Sequence, residues 1–262
     1  MEIHSEVLRL NKEFSLFLSM LESSKHTVVL TGAGISTLSG IPDFRSSNGV
    51  YSKKFGNLNV EDLLDISFFK AHPEEFYSWA KDGWYNMENY KPNIIHHVLH
   101  LMENKGLLTE GIFTQNIDSL DRKEGSKKVY ELHGSLSKSI CLECGREYSY
   151  EETKEKILSN GVPYCTYCKG LLKPDIIFYG ENLNEYIIRK AQEAFTSADL
   201  AIVLGSSLVV NPARSLPYFT LYNNKKVVIV NRDETYLDDK ACFVFRDLEE
   251  WGKEMLDYLE KK

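Results

Sequence analysis

Two Cys-x-x-Cys pairs constrain this chain more than any other feature. Cys141 and Cys144 form one, Cys165 and Cys168 the other, and 20 residues separate them; the fifth cysteine, Cys242, lies far away. Two tight pairs and one remote cysteine are not the spacing of an extracellular disulfide framework. They match the two knuckles of a four-thiolate metal site. Soft thiolates favour zinc, and four of them leave no open position for water, so a structural zinc is expected. The rival readings are a redox pair, which needs only one of the two motifs, and an iron–sulfur cluster. The segment from about residue 137 to 173 is therefore expected to be a small lobe inserted in a larger domain. Cys242, within Ala241-Cys242-Phe243-Val244, is expected to be a small buried hydrophobe.

The rest of the chain is long enough to build that larger domain. Its 262 residues allow one large domain carrying a small one. Hydrophobic residues at 43% and charged residues at 26% are ordinary for a globular protein. A net charge of -7 argues against a dedicated nucleic-acid binder. No apolar run approaches the roughly 18–20 residues needed to cross a bilayer. Met1 to Asn11 lacks the continuous apolar core of a signal peptide. A cytoplasmic monomer is expected, with no membrane partner and no direct nucleic-acid partner.

Apolar runs alternate with helical patterns. Phe14, Phe17, Leu18 and Leu21 recur at helical spacing. Thr27–Thr31, Gly111–Gln115, Val129–Leu132, Leu200–Leu204 and Lys226–Asn231 read as short strands, with Cys242–Phe245 as a last one. Helices are expected at Glu61–Leu64, Pro73–Lys81, from Pro92 to about Glu103 with Gly106 ending it, Glu151–Leu158, Ile187–Phe195, after Pro212, and Glu249–Tyr258. Continuous apolar strands flanked by helices predict an α/β fold with a mostly parallel sheet covered on both faces.

Such sheets bind ligands beyond the C-terminal ends of their strands. The first strand runs into Gly32-Ala33-Gly34-Ile35-Ser36. That is a Gly-x-Gly start, but Thr37 stands where the dinucleotide fingerprint wants a third small residue. No Lys-Ser/Thr pair makes it a Walker A loop. On the glycines alone, a dinucleotide site and an ordinary strand–turn–helix junction are equal readings. The other strand ends favour the former: Asn116-Ile117-Asp118, Gly205-Ser206-Ser207 and Asn231 are small or polar. Asp43, Phe44 and Arg45 follow the loop, an arginine being an anion partner and a phenylalanine a cover against water.

His133 follows a strand and precedes the cysteine segment, at the join between the lobes. Taken alone it is as readily structural as catalytic. His96, His97 and His100 lie in a predicted helix and read as packing or surface residues. No Gly-x-Ser-x-Gly elbow supports a hydrolase triad.

Together these motifs resemble the sirtuin family, the NAD-dependent protein lysine deacylases. The matching residues are Gly32-Ala33-Gly34-Ile35-Ser36, Gly40-Ile41-Pro42-Asp43-Phe44-Arg45, Thr114-Gln115-Asn116-Ile117-Asp118, His133-Gly134, the four cysteines, and Gly205-Ser206-Ser207-Leu208. They stand in the family's order, and the likeness is to its short bacterial and archaeal members. The resemblance implies a Rossmann-like parallel sheet with helices on both faces, over about residues 1–136 and 174–262. It further implies the inserted zinc lobe and a helical insertion, at about 50–90, that contributes to the cleft.

The resemblance also implies roles. Gly32, Ala33, Gly34 and Ile35 form the cofactor loop, with Ala33 and Gly34 near the NAD diphosphate. Asp43 and Arg45 follow, Arg45 near the phosphates, while Phe44 shields the nicotinamide site. Gln115 and Asn116 face the nicotinamide-side ribose, and Asp118 with the Ile117 backbone holds the carboxamide. Ser206 and Asn231 contact the adenosine half, and Gly205 and Ser207 also belong to the cofactor-binding set. Ile177, Phe178, Tyr179, Gly180, Glu181, Asn182 and Leu183 clamp an extended acetyl-lysine peptide as an added strand.

In the implied reaction the acyl oxygen attacks C1′ of the nicotinamide ribose and nicotinamide leaves. His133 then acts as general base on the ribose hydroxyl system, and Asn116 positions the ribose or a water. The products are free lysine and an O-acetyl-ADP-ribose. Mono-ADP-ribosyl transfer from the same pocket and a non-catalytic NAD sensor or scaffold are the alternatives.

The chain departs from the family's pattern in places. Asp121 stands where the family commonly has His, and Tyr179 where Phe is frequent. The Tyr/Arg pair of the acid-acyl-selective branch is missing, since Tyr77 is followed three residues later by Ala80. Phe69, Phe76 and Trp79 nearby favour neutral acyl groups, acetyl first.

Overall fold

The computed structural model describes residues 2–44, 46, 49–52 and 54–262, with residues 2–11 described by backbone alone. Helix α1 (Glu2–Ser23) leads into β1 (Thr27–Thr31) and the single-turn α2 (Ala33–Thr37). A small antiparallel pair, β2 (Lys54–Phe55) and β3 (Leu58–Asn59), opens a helical insertion. Its helices are α3 (Val60–Leu63), α4 (Ile66–Ala71) and α5 (Pro73–Gly83). Then come α6 (Ile94–Asn104), β4 (Gly111–Thr114), α7 (Leu120–Glu124) and β5 (Val129–Glu131). The cysteine segment contributes β6 (Gly134–Cys141), β7 (Glu147–Ser149), α8 (Tyr150–Asn160) and β8 (Leu172–Ile176). The chain closes with α9 (Glu185–Ser197), β9 (Leu200–Leu204), α10 (Leu216–Tyr222), β10 (Lys226–Val230), β11 (Phe243–Phe245) and α11 (Leu248–Lys261).

Six strands form one parallel sheet in the order β5-β4-β1-β9-β10-β11. In chain order within the sheet this reads 3-2-1-4-5-6, the doubly wound arrangement whose order reverses between β1 and β9. The apolar runs are continuous because both faces are covered. Val29, Ile112, Ile202 and Val228 face a core with Phe17 and Leu21 of α1, Val98 and Leu99 of α6, and Trp251 and Met255 of α11. Their neighbours Val28, Leu30, Phe113, Val203 and Ile229 face Ala191, Phe195 and Leu216 of α9 and α10. The strand period of two is therefore hidden in the sequence, since both phases are apolar.

The cysteine segment is built on a three-stranded antiparallel sheet, β7-β6-β8, which the sequence reading had not identified. Lys173, Pro174 and Asp175 are poor strand formers, and pairing with β6 overrides that preference. A third apolar cluster joins this sheet to the helical insertion. In it Leu136, Ile157, Ile176 and Phe178 pack with Val60, Phe69, Phe76, Tyr77 and Trp84.

Three local expectations change. The helix expected to open at Pro92 starts at Ile94, because the Asn93 side chain accepts the Ile95 amide as N-cap. The helix expected after Pro212 is a 3-10 turn, Ala213–Ser215, and the α-helix starts at Leu216 with Pro217 in its first turn. Cys242 is exposed rather than buried, with its thiol donating to the Val227 carbonyl at 3.0 Å. Among the described residues no helix is long and apolar enough to cross a membrane.

Candidate functional site

A cleft of about 620 Å³ opens at the switch point between β1 and β9. The two strand-end loops touch. Gly32 N–H donates to Leu204 O at 3.0 Å, and Gly34 N–H to Gly205 O at 2.8 Å. A Cβ on Gly32 would stand 2.7 Å from Gly205 O, and one on Gly34 2.8 Å from Gly205 Cα. Gly205 itself has φ +61°, and a Cβ there would meet Ile35 N at 2.5 Å. The irregular glycine spacing thus has a steric cause. The third close approach of the fingerprint is made by Gly205 from another strand, so position 37 is free to be threonine. Ile35 contributes its backbone here, but its side chain is buried in the core among α1 and α6 rather than lining the cleft.

Polar groups from β1, β4 and β9 converge below that contact. Gln115 Nε2 donates to Ser206 Oγ at 2.7 Å, and Ser206 Oγ accepts the Leu208 amide at 3.3 Å. Asn116 is 4% exposed. Its Nδ2 donates to Gly32 O at 3.2 Å and to Ser36 Oγ at 3.1 Å. Ser36 Oγ donates in turn to Asp118 Oδ2 at 2.7 Å, and Asp118 Oδ1 accepts the Leu120 amide at 2.9 Å. Ser36 is thus the hub between Asn116 and Asp118, a role the sequence reading missed although the residue stood in its motif. Asn116 Oδ1 is buried without a hydrogen-bond partner, an acceptor left unsatisfied within the protein. Burial raises the Asp118 carboxyl above its ordinary range, and the Leu120 amide and Ser36 hydroxyl partly offset this.

His133 sits where the main sheet meets the cysteine lobe. The Ile177 amide donates to its carbonyl at 2.9 Å. Gly134 follows because a Cβ there would fall 2.1 Å from Asp175 O. His133 Nδ1 lies 3.1 Å from the Gln115 carbonyl oxygen. A carbonyl only accepts, so Nδ1 carries the proton in this contact and Nε2 of the neutral ring holds the lone pair. His133 lines the cleft with Asn116, Gln115 and Ile117.

Phe44 lines this cleft and also a second pocket of about 260 Å³, which contains Ser36, Asp118, Trp79 and Ala80. Its ring packs 5.4 Å from that of Tyr51, and Tyr51 N–H donates to Phe44 O at 2.9 Å. Asp43 Oδ1 accepts the Ser46 amide at 2.8 Å. Arg45 lies outside the described residues.

On the opposite wall, Ile177, Phe178, Tyr179, Gly180, Glu181 and Leu183 reach the cleft, whereas Asn182 is exposed and does not line it. The Tyr179 backbone is paired with the helical insertion: its N–H donates to Leu64 O at 2.8 Å, and its carbonyl accepts the Ile66 amide at 3.0 Å. Phe69 and Phe76, expected beside an acyl group, are instead fully buried and pack edge-on and tilted against Phe178. Of that aromatic trio Trp79 lines the second pocket. Ser206, Ser207 and Asn231 line the far end with Arg232, Asp233 and Arg246. Asn231 Nδ2 donates to Asp233 O at 2.7 Å.

Asp121, 2% exposed, stands on α7 behind this network, with Oδ1 lacking a partner. Burial, then the nearby Asp118 and Glu131 carboxylates, push its carboxyl up to about 8. Its unfolded value is about 3.9. A raised folded pKa contributes stability fully present below about pH 4 and lost as the pH rises through about 8. Asp121→Asn should therefore flatten the decline of Tm between pH 4 and pH 8. At pH 8 it should add about 1–3 kcal/mol, read from denaturant midpoints at both pH values.

The four expected metal ligands come together. Sγ atoms of Cys141, Cys144, Cys165 and Cys168 all lie within 4.8 Å of one another. The Cys141–Cys168 and Cys144–Cys165 separations are 3.4 and 3.7 Å. A tetrahedral ion with Zn–S near 2.3 Å requires sulfurs about 3.8 Å apart, so the donor set and its size fit zinc. Amides of Cys168 and Gly170 and the Tyr148 hydroxyl point at these sulfurs. A Cβ on Gly170 would meet Cys141 Sγ at 2.8 Å.

The profile described as the Sir2 family matches residues 32–212. The chain is 47% identical to the NAD-dependent protein deacetylase of Thermotoga maritima over 242 residues, 92% of this chain and 96% of that protein. It is 41% identical to the NAD-dependent protein deacetylase of Clostridium perfringens, covering 87% and 91%. Among solved structures, a Sir2 with a p53 peptide and NAD+ matches with TM-score 0.85 at 45% identity, covering 94% of this chain and 98% of the other. A Sir2 bound to a propionylated peptide matches with TM-score 0.85 at 44% identity, covering 95% and 99%.

Proposed function

The chain belongs to the Sir2 family, and from that premise we propose that it is an NAD-dependent protein lysine deacetylase with His133 as general base. The observation that carries the reading is the His133 geometry: Nδ1 held by the Gln115 carbonyl, the ring in the cleft beside Asn116. The reactive centre and the two leaving or accepting groups of the reaction come from NAD, whose ribose carbon loses nicotinamide and whose ribose hydroxyls receive the acetyl group. The protein binds, orients and deprotonates. Ala33 and Gly34 hold the diphosphate side of the cleft, and Asn231 with the Ser207 turn the adenosine side. Asn116 Oδ1, the buried acceptor without a partner, takes a hydrogen bond from a ribose hydroxyl or a positioned water. Asp118, fixed by Ser36 and the Leu120 amide, receives the carboxamide in the second pocket. Phe44, shared by both pockets, keeps water from the reacting carbon. His133 Nε2 takes the proton of the attacking ribose hydroxyl, at the atom the Nδ1 contact leaves basic.

The four cysteines hold a structural zinc. With all four donors thiolate the ion keeps no position for substrate, so it shapes the lobe and leaves the reaction to the cleft.

Incubation with an acetyl-lysine peptide, with and without NAD, tests the assignment. Nicotinamide release, a lighter peptide and an acetyl ester of ADP-ribose should appear together and only with NAD. Label from adenylate-labelled NAD accumulating on protein instead would establish ADP-ribosyl transfer, and NAD binding without turnover would establish a sensor. A finer expectation concerns Tyr179. Its hydroxyl lies 3.0 Å from that of Tyr51, joining the substrate wall to the segment carrying Phe44. Tyr179→Phe deletes one partly exposed hydrogen bond and should raise peptide KM about two- to fivefold, as steady-state kinetics would report.

A further inference from the structure

Lys173 is a buried ammonium that the proposed chemistry does not use. Its side chain is 8% exposed. Three acceptors surround Nζ: Ile176 O at 2.6 Å, Glu181 Oε2 at 2.8 Å and Pro174 O at 3.2 Å. An ammonium has three donors, so its capacity is filled. Nζ also stands 4.4 Å from the centroid of the Phe178 ring, a cation–π distance. Every one of these partners lies between residues 174 and 181, so the chain leaving β8 is wrapped around the ammonium of its own second residue.

Glu181 completes the wrap. Its Oε2 also accepts the Phe178 amide at 2.8 Å, while Glu181 N–H donates to Phe178 O at 3.1 Å. The turn between them is made at Gly180, with φ +88°. The Glu181 carboxylate thus faces inward, onto Lys173 and the backbone. Burial lowers the Lys173 pKa, and Glu181 pulls it back up.

What this knot shapes is the wall of the cleft. Phe178 is drawn into the core between Phe69 and Phe76, with both ring centroids at 5.2 Å. Its neighbours Ile177 and Tyr179 stay outside that core and line the cleft. Tyr179 is 44% exposed. Stability does not account for the arrangement, because a buried ion pair is commonly no better than apolar residues of similar size.

We propose that Lys173 and Glu181 are a positioning pair: their buried ion pair sets the shape of segment 177–183 for peptide binding, and Glu181 acts through Lys173 rather than by touching substrate. The inference rests on the deacetylase reading for its kinetic arm and on the fold alone for its exchange arm.

Five variants test it: Lys173→Met, Glu181→Gln, the two combined, Lys173→Arg, and the apolar double replacement Lys173→Met with Glu181→Leu. Lys173→Met should raise peptide KM about tenfold or more, with NAD KM within about twofold. Lys173→Arg should recover most of the loss. Lys173→Met and Glu181→Gln together should cost no more than either alone. The apolar double variant should keep a Tm within a few degrees of the parent and still show the raised peptide KM, which a merely structural role would not produce. Amide exchange over 177–183 should quicken in each impaired variant while Thr27–Thr31 stays protected. Unchanged peptide KM and unchanged exchange in Lys173→Met would overturn the proposal. So would a recovered KM in the apolar double variant, or additive losses from the two single variants. Should Lys173→Met not fold, Glu181→Gln and the apolar double variant decide. If the parent protein turns over no acetyl peptide, the deacetylase reading fails, and amide exchange with and without the peptide still decides the role of Lys173.

Discussion

Replacing His133 by alanine is expected to lower turnover of an acetyl-lysine peptide by about 10²–10⁴-fold, the range that loss of a positioned general base produces. The backbone around His133 carries the structural contacts: the Ile177 amide binds its carbonyl, and Gly134 makes the close approach to Asp175. The side chain adds the Nδ1 contact to Gln115 O. Alanine should therefore leave Tm within a few degrees, and NAD and peptide affinities within about threefold. The loss should fall on kcat, as expected for an interaction made in the transition state. The proposed role puts His133 on the ribose hydroxyl after nicotinamide has left, so exchange of labelled nicotinamide into NAD should survive better than acetyl transfer. A fall in acetyl transfer and nicotinamide exchange by equal factors would place His133 at the first step instead. Full activity in the variant would remove it from the reaction.

The contrast with Asn116 sharpens this. Asn116 Nδ2 is engaged by Gly32 O and Ser36 Oγ, so changing that side chain also disturbs the glycine turn and, through Ser36, Asp118. His133 is the residue whose removal separates chemistry from architecture.

Why were these residues legible in the sequence? Parallel strands covered on both faces are continuous apolar runs, and ligands gather where such runs end. Gly32, Asn116, Ser206 and Asn231 each follow one. What a linear reading cannot carry is contact between strand ends. That Gly205 supplies the close approach missing at Thr37 depends on β1 and β9 being neighbours, although some 170 residues separate them. The inward aim of Glu181 depends on Lys173, whose burial no periodicity reveals: Lys-Pro-Asp reads as an exposed turn. Phe69 and Phe76 look like acyl-pocket residues because they are aromatic and near the right segment. They are core residues because Phe178 lies between them and the cleft. Cys242 looked buried because strand β11 is apolar, yet β11 is the edge of the sheet.

Loss of a cysteine ligand, by Cys141→Ser or Cys168→Ser, should have the second large effect. The apolar cluster around the sulfurs contains Cys141, Tyr148, Cys165 and Leu172. Those four side chains are few against the entropy of ordering the two knuckles, although Ile157, between the cysteine pairs, is anchored in the larger cluster. A zinc ion held by the four sulfurs would supply the difference: in zinc-finger peptides zinc supplies about 10–16 kcal/mol of apparent binding free energy, coupled to folding. The parent should carry about one equivalent of zinc by elemental analysis, and either variant almost none. The damage should be graded. Leu136, Ile157 and Ile176 lie in the larger cluster with Phe76 and Trp84, so the near ends of β6 and β8 and helix α8 should hold while the knuckles around Cys141–Cys144 and Cys165–Cys168 become exchange-labile. His133 and segment 177–183 adjoin those near ends through the Gly134–Ile176 pairing. Peptide kcat/KM should thus fall at least about tenfold, while β10 and β11, at the other end of the sheet, keep their protection. A zinc-free variant with normal exchange in both knuckles and normal peptide kinetics would show that the sulfurs need no ion to hold the lobe.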